Sequence, residues 1–308
     1  MQMNIDDIDY SVIIPVASPN KIKSLKTLLT KFASQTHPPK EIHLIIGDNR
    51  QGRAINYGVK MSSTKYISTV DDDTEFDNNT LFEKLINVIK NDGSIGMVGA
   101  ACEIPPYASS FQKKAMQQIP RRFFPKQEEN IDSDMVQHPC LLMEKDFFLK
   151  IGGEDEEIIR GLDPLLRKKV RDSGKRVVIA ANTWVYHILP NSFFKLIKMY
   201  YRNGRGSAFA KKYFPDKIYE LTDGYEKGKF IEKRLFIFRI FRRILKTLYA
   251  IFSFKFLKFF SDIAYISGYL SEFLFPTYNV KSEIKEIKTQ KDELSGIQIF
   301  YHFISLKK

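Results

Sequence analysis

Apolar runs alternate with stretches of helical spacing along the first hundred residues. Residues 10–16 form an apolar run closed by a proline-containing turn, residues 41–48 a second that ends in an acid, residues 66–70 a third and residues 95–101 a fourth. Runs of this length, bounded by polar residues, predict buried strands. Between them, residues 21–32 place Ile22, Leu25, Leu28, Leu29 and Phe32 on one helical face. Residues 52–61 allow a short helix, and Leu81, Leu85, Val88 and Ile89 mark another. Strands alternating with helices predict right-handed βαβ units and a mostly parallel, Rossmann-like α/β sheet flanked by helices. Such a sheet brings Pro15, Asp48 and the acids Asp71, Asp72 and Asp73 to the edge where open α/β sheets take their ligands.

The three acids at the end of the third strand are the most informative feature. Hard carboxylate oxygens suit Mg2+ or Mn2+, ions that commonly arrive with a diphosphate. A polar turn that caps the next helix is the plainer reading. Asp163 is also open to two readings. Asp followed by Pro164 is a favoured helix start, with Asp as N-cap and Pro at the first helical position; Leu165, Leu166, Lys169 and Val170 continue the helix to Ser173-Gly174. A carboxylate held there by the helix dipole also remains ionised, as a general base requires. His187, at the end of the run Trp184-Val185-Tyr186, is either a core residue or a metal ligand.

In order and spacing these segments resemble the family 2 glycosyltransferases, across roughly residues 9–215. Ser11 to Val16 is similar to the opening strand, Ala54, Asn56 and Gly58 to a glycine- and asparagine-containing stretch, and Asp71-Asp72-Asp73 to an acidic metal motif. Residues 138–153, ending in Ile151-Gly152-Gly153, resemble the acceptor-pocket segment, and Gly161-Leu162-Asp163 the motif of the catalytic base. The resemblance implies a GT-A fold and inverting transfer from a nucleotide-diphosphate sugar. It implies Asp163 as base, and Asp73 with His187 on Mn2+ or Mg2+. Pro15, Val16, Ala17, Asp48, Asn56, Asp71, Asp72 and Arg205 would then lie on the donor, and His138, Gly152 and Gly153 on the acceptor side. Two departures stand out: a short basic loop, Asp48-Asn49-Arg50-Gln51-Gly52, and Leu162 and Leu165 at positions where relatives carry acids. A catalytically degenerate relative, binding nucleotide sugar or a membrane partner without transfer, is the alternative those leucines favour. A nucleotidyltransferase would need a glycine-rich basic loop after the first strand, and Ala17-Ser18-Pro19-Asn20 is not one. The Gln-x-x-Arg-Trp pattern of processive synthases is absent, so one transfer per encounter is expected.

Composition adds a setting. With only Cys102 and Cys140, no disulfide framework is implied and a reducing compartment is expected. The first nine residues lack the apolar core of a signal peptide. The net charge of +12 concentrates in residues 229–258, where nine Lys or Arg face a single acid, Glu232. Phe236, Phe238, Phe241, Leu245, Leu248 and Phe252 fill the gaps, while Arg239, Arg242, Arg243 and Lys246 follow one helical stripe. Charges interrupt the stretch too often for a membrane span, and no nucleic-acid motif accompanies it. It reads as a helix on an anionic membrane surface, with packing on the catalytic domain as the plainer option. Residues 263–275 read as a second helix beside it, and residues 281–293 as exposed and charged. The expected organisation is a domain over residues 1–215 and a helical, basic extension over 216–308. The expected place is the cytoplasmic face of the plasma membrane, with a glycan or lipid-linked acceptor and no nucleic acid.

Overall fold

The computed structural model describes residues 9–218 and 236–307. Residues 1–8 of the N-terminal segment, residues 229–235 of the basic stretch and the Arg239 side chain lie outside the described residues. The elements run β1 (Tyr10–Val16), α1 (Ile22–Ala33), β2 (Glu41–Ile46), α2 (Gln51–Met61), β3 (Tyr66–Thr69), α3 (Leu81–Asn91) and β4 (Ile95–Glu103), in the expected alternation. Next come α4 (Ser110–Gln118), β5 (Ile131–Asp132), β6 (Leu141–Glu144), α5 (Lys145–Lys150), α6 (Leu162–Asp172), β7 (Arg176–Tyr186) and α7 (Phe193–Tyr213). The chain closes with α8 (Phe236–Phe252), α9 (Phe256–Leu274), β8 (Ile284–Leu294) and β9 (Ile297–Leu306).

Among the described residues the strands form one sheet in the order β5-β7-β4-β6-β3-β1-β2-β9-β8. β1 runs parallel to both β2 and β3, while β6 enters antiparallel between β3 and β4. Side chains of β1 alternate between two cores. Tyr10, Val12, Ile14 and Val16 pack with Leu25, Leu28, Leu29 and Phe32 of α1 and with Phe82 and Leu85 of α3. Ile13 packs on the opposite face with Ala54, Ile55 and Val59 of α2 and with Leu166 and Val170 of α6. Burial on both faces is why the central strands read as continuous apolar runs. Each large side chain so buried contributes about 1.5–3 kcal/mol.

The C-terminal region, expected as a helical extension, also adds two strands to this sheet. β9 runs parallel to β2, pairing Glu41 with Gln298 through Ile46 with Phe303, and β8 folds back antiparallel as the outer edge. Ser295 (φ 52°) and Gly296 (φ 83°) make the tight turn. Positive φ at both central residues matches the twist of a hairpin. The charge of residues 281–293 belongs to β8, where Lys285, Lys288 and Lys291 stand exposed. Lysines on an outer strand discourage pairing with other chains. A buried polar chain ties the hairpin down: His43 Nδ1 lies 3.1 Å from His302 Nε2, His43 Nε2 2.6 Å from Glu41 Oε2, and Thr289 Oγ1 3.0 Å from His302 Nδ1.

α9 packs on α8 as expected, but its closest approach is to α7. A Cβ on Gly268 would lie 2.0 Å from the Tyr201 carbonyl oxygen, and one on Gly204 2.0 Å from that of Tyr265. Only glycine at both positions lets the two backbones meet. On α8, Phe241, Leu245, Leu248 and Phe252 form an exposed stripe, at spacings of three and four residues. Among the described residues, no helix is long and apolar enough to cross a membrane.

Candidate active site

The sheet ends deliver the acids as the alternation predicts. Asp71, Asp72 and Asp73 follow β3 directly, and His187 follows β7. One ligand atom from each of Asp71, Asp73 and His187 lies within 4.8 Å of the others, with His187 Nε2 3.2 Å from Asp73 Oδ1. Two carboxylates and an imidazole are a donor set that Mn2+ or Mg2+ accepts. Burial pushes the Asp73 carboxyl up, but the hydrogen bond and charge of His187 outweigh it and hold the group at about 2. Asp71 is pushed up to about 6 by burial, and its Oδ1 accepts a 3.0 Å bond from Gln51 Nε2. Asp72 turns away to an exposed ion pair with Lys21, 2.7 Å.

Asp163 shares a cleft of about 660 Å³ with Asp71, His138 and His187. The capping expectation fails here. Gly161, with φ 93°, precedes α6, and Asp163 lies inside the first turn without capping it. Its Oδ1 instead accepts the His138 backbone N–H at 2.8 Å and sits 3.8 Å from the His138 ring. Burial raises the Asp163 carboxyl, but the His138 charge, then Arg167, more than reverse this and hold it below the ordinary range. His138 is itself buried, which lowers its imidazole, yet Asp163 and Glu154 raise it to about 9. Glu154 Oε1 lies 3.1 Å from His138 Nε2, with its side chain fully buried. Neither Glu154 nor Arg167 was visible as a site residue in the sequence. Glu154, from a preceding loop, is the buried acid beside His138.

Several expected donor contacts are engaged elsewhere. Asp48 is buried against Arg53, whose Nε and Nη2 reach its two oxygens at 2.8 and 2.6 Å, and it accepts the Arg50 N–H. Arg50 Nη2 in turn donates to the Asn279 carbonyl at 2.6 Å, and Arg53 to the Ser282 carbonyl. Arg50 of the short basic loop and Arg53 of α2 therefore clamp the segment that leads into β8. Asn56 is buried and brackets Glu154, accepting its N–H at 2.8 Å and donating to its carbonyl at 3.0 Å. Gly153 (φ 52°) lies against the same amide, and the carbonyls of Gly152 and Gly153 accept from Lys169 Nζ. These two glycines shape the loop outside the cleft lining. Val16 is a core residue whose carbonyl accepts from Gly47, while Pro15 is half-buried and Ala17 exposed at the end of β1. Arg205 points to Glu272, 2.9 Å away, and stacks on Tyr278. The cleft arginines are instead Arg121, Arg122, Arg160, Arg167, Arg242 and Arg243.

Residues 24–152 match the family model described as glycosyl transferase family 2. That match includes the acids after β3 and ends before Asp163 and His187. No curated protein matches the chain. Among solved structures, the mannosyltransferase PcManGT from Pyrobaculum calidifontis, in complex with GDP-Man and Mn2+, is similar over 87% of this chain and 88% of its own, with 10% identity and a TM-score of 0.54. That likeness establishes a shared GT-A-type fold. S. aureus TarS 1-349, in complex with UDP-GlcNAc, aligns over 67% of this chain and 73% of its own, with 12% identity and a TM-score of 0.45.

Proposed function

We propose that this chain is an inverting, metal-dependent glycosyltransferase that moves a sugar from a nucleotide-diphosphate donor to a hydroxyl acceptor. The observation that carries the reading is the meeting, in one cleft, of Asp163 with Asp71 and His187, the latter two grouped with Asp73 as possible ligands of one ion. Asp163 takes the proton of the acceptor hydroxyl as that oxygen attacks the anomeric carbon, from the face opposite the diphosphate. His138 holds Asp163 by its backbone N–H, and its imidazolium, favoured by Asp163 itself and then by Glu154, keeps the base ionised until the proton arrives. Asp71, Asp73 and His187 would hold the Mn2+ or Mg2+, which when bound neutralises charge on the departing diphosphate. The matched family model, together with the GDP-Man and Mn2+ held by PcManGT, supports a nucleotide-sugar donor. Pro15 and Ala17, at the carboxyl end of β1, border its nucleotide.

The exposed stripe of α8 supports a place on the cytoplasmic membrane surface, beside a lipid-linked acceptor. Asp163→Asn tests the mechanism. The variant should bind donor as the parent does, yet lose on the order of 10²–10⁴ in transfer rate. The product of the parent should carry the opposite anomeric configuration from the donor, as read by proton NMR. Parental turnover by Asp163→Asn would remove the base assignment, and a product with retained configuration would remove inversion.

A further inference from the structure

The charge of the cleft exceeds what the proposed donor requires. Eight Lys and Arg side chains line it against three acids, Asp71, Asp163 and Asp262. Asp262 is paired with Lys258, Asp163 faces His138, and Asp71 accepts from Gln51. Two of the arginines make their closest contacts with aromatic side chains, and a third, Arg160, forms no ion pair among the described residues, although Asp163 and Asp71 act on Arg122 and Arg160 from further off. Arg122 Nε donates to the Tyr200 hydroxyl at 3.3 Å, and Arg243 lies over the Tyr265 ring at 3.9 Å. Arg160 is held below the ordinary guanidinium range by burial and by the like charges of Arg202 and Arg122. Placing guanidinium groups together in a cleft is unfavourable unless an anion joins them, and planar guanidinium forks suit phosphate.

Where these charges come from narrows the ligand. Arg242, Arg243 and Lys246 belong to α8, and Lys258 to α9, outside the sheet edge that carries Asp71 and Asp73. On α8 the cleft-lining positions 238, 242, 243 and 246 adjoin the exposed stripe Phe241, Leu245, Leu248 and Phe252. The same helix therefore offers cations to the cleft and a hydrocarbon surface to its outside.

We infer that Arg122, Arg160 and Arg243 form an acceptor subsite for a phosphate or diphosphate group, and that the hydrocarbon chain esterified to this group leaves the cleft along the apolar stripe of α8. This assignment rests on the proposed transfer only for its link to Asp163: the acceptor's reacting hydroxyl would lie inward, its phosphate among the arginines and its chain outward. The basic stripe then serves the acceptor's headgroup, and contact with a bilayer falls mainly to the aromatic and aliphatic stripe.

Calorimetry on the full chain, in EDTA and without nucleotide, tests the subsite independently of catalysis. Decyl phosphate below its micellar concentration should bind at least tenfold more tightly than decanol or inorganic phosphate, because neither half of the ligand fills both surfaces. Arg160→Gln with Arg243→Gln should weaken decyl phosphate at least tenfold, with circular dichroism unchanged. Phe241→Gln with Leu245→Gln should weaken decyl phosphate and leave inorganic phosphate as it was. Asp73→Ala should bind it as the parent does, so failure of the metal site and failure of the subsite are separable. Equal affinity for decanol, or unchanged binding by the arginine variants, would overturn the assignment. Competitive displacement by free nucleoside diphosphates would overturn it too, by giving these cations to the donor.

Discussion

Gly268→Ala probes how the cleft is roofed. A Cβ at this position would stand 2.0 Å from the Tyr201 carbonyl oxygen, 2.8 Å from its carbon and 3.0 Å from its Cα, all of them backbone atoms of α7. Carbon–oxygen contacts between packed helices settle at about 3.3–3.6 Å, so α7 and α9 have to part by on the order of 1 Å. Overpacking of this kind costs about 1–3 kcal/mol. For a chain of this size that corresponds to a fall in Tm of roughly 2–5 °C. The displacement should also be felt in the cleft, because α9 supplies Lys258 and Tyr265, and Tyr265 carries Arg243. Differential scanning calorimetry should therefore show the lower Tm, and decyl phosphate affinity should fall. Metal and donor binding should persist, since Asp71, Asp73 and His187 stand on the sheet ends. Gly93→Ala is the control, as a Cβ there meets nothing within 4 Å. An unchanged Tm and affinity in Gly268→Ala would show that the close approach of α7 and α9 does not shape the cleft.

Two further predictions concern the C-terminal hairpin. His302 is pushed down to about 4, by burial first and then by His43. The unfolded chain thus binds this proton near pH 6.5 while the folded chain does not. The stabilisation is fully present above that pH and is lost as pH falls toward 4, amounting to about 2–3 kcal/mol. Urea midpoints measured at pH 7.5 and pH 5 should differ accordingly, and His302→Gln should flatten the difference; equal slopes in parent and variant would count against it. Arg53→Met should leave the Asp48 carboxylate buried without its partner, a change that costs about 3–5 kcal/mol. It should also free the Ser282 carbonyl, so limited proteolysis should cut near residues 279–282 in the variant first; parental resistance there would contradict the clamp.

What the sequence revealed follows from how local each signal is. β1, β2 and β3 were legible because strands buried on both faces are apolar throughout, and the acids after β3 follow from strand length alone. β6 is only four residues long and antiparallel, and nothing near Leu141 announces a strand. The β8–β9 hairpin was hidden because the charges of the outer strand mask its alternation, and its partner β2 lies some 250 residues away. Asp163 in an Asp-Pro pair has the local signature of a cap, and only the distant His138 N–H shows what its carboxylate does. The partners of Asp48, Asn56 and Arg205, which are Arg53, Glu154 and Glu272, could not be read from motif position. Arg122 and Arg160 lie in segments without periodicity, so only the fold could bring them to the cleft.

The cleft that Asp163 lines is proposed as a metal-dependent nucleotide-sugar site. Its most direct test is calorimetric titration of a panel of nucleotide-diphosphate sugars, with and without Mn2+, into the parent and into Asp73→Ala. The account predicts that at least one donor binds the parent, that Mn2+ is required, and that Asp73→Ala loses this binding while keeping its fold. Binding that is indifferent to Mn2+ and to Asp73, or no binding by any member of the panel, would contradict it.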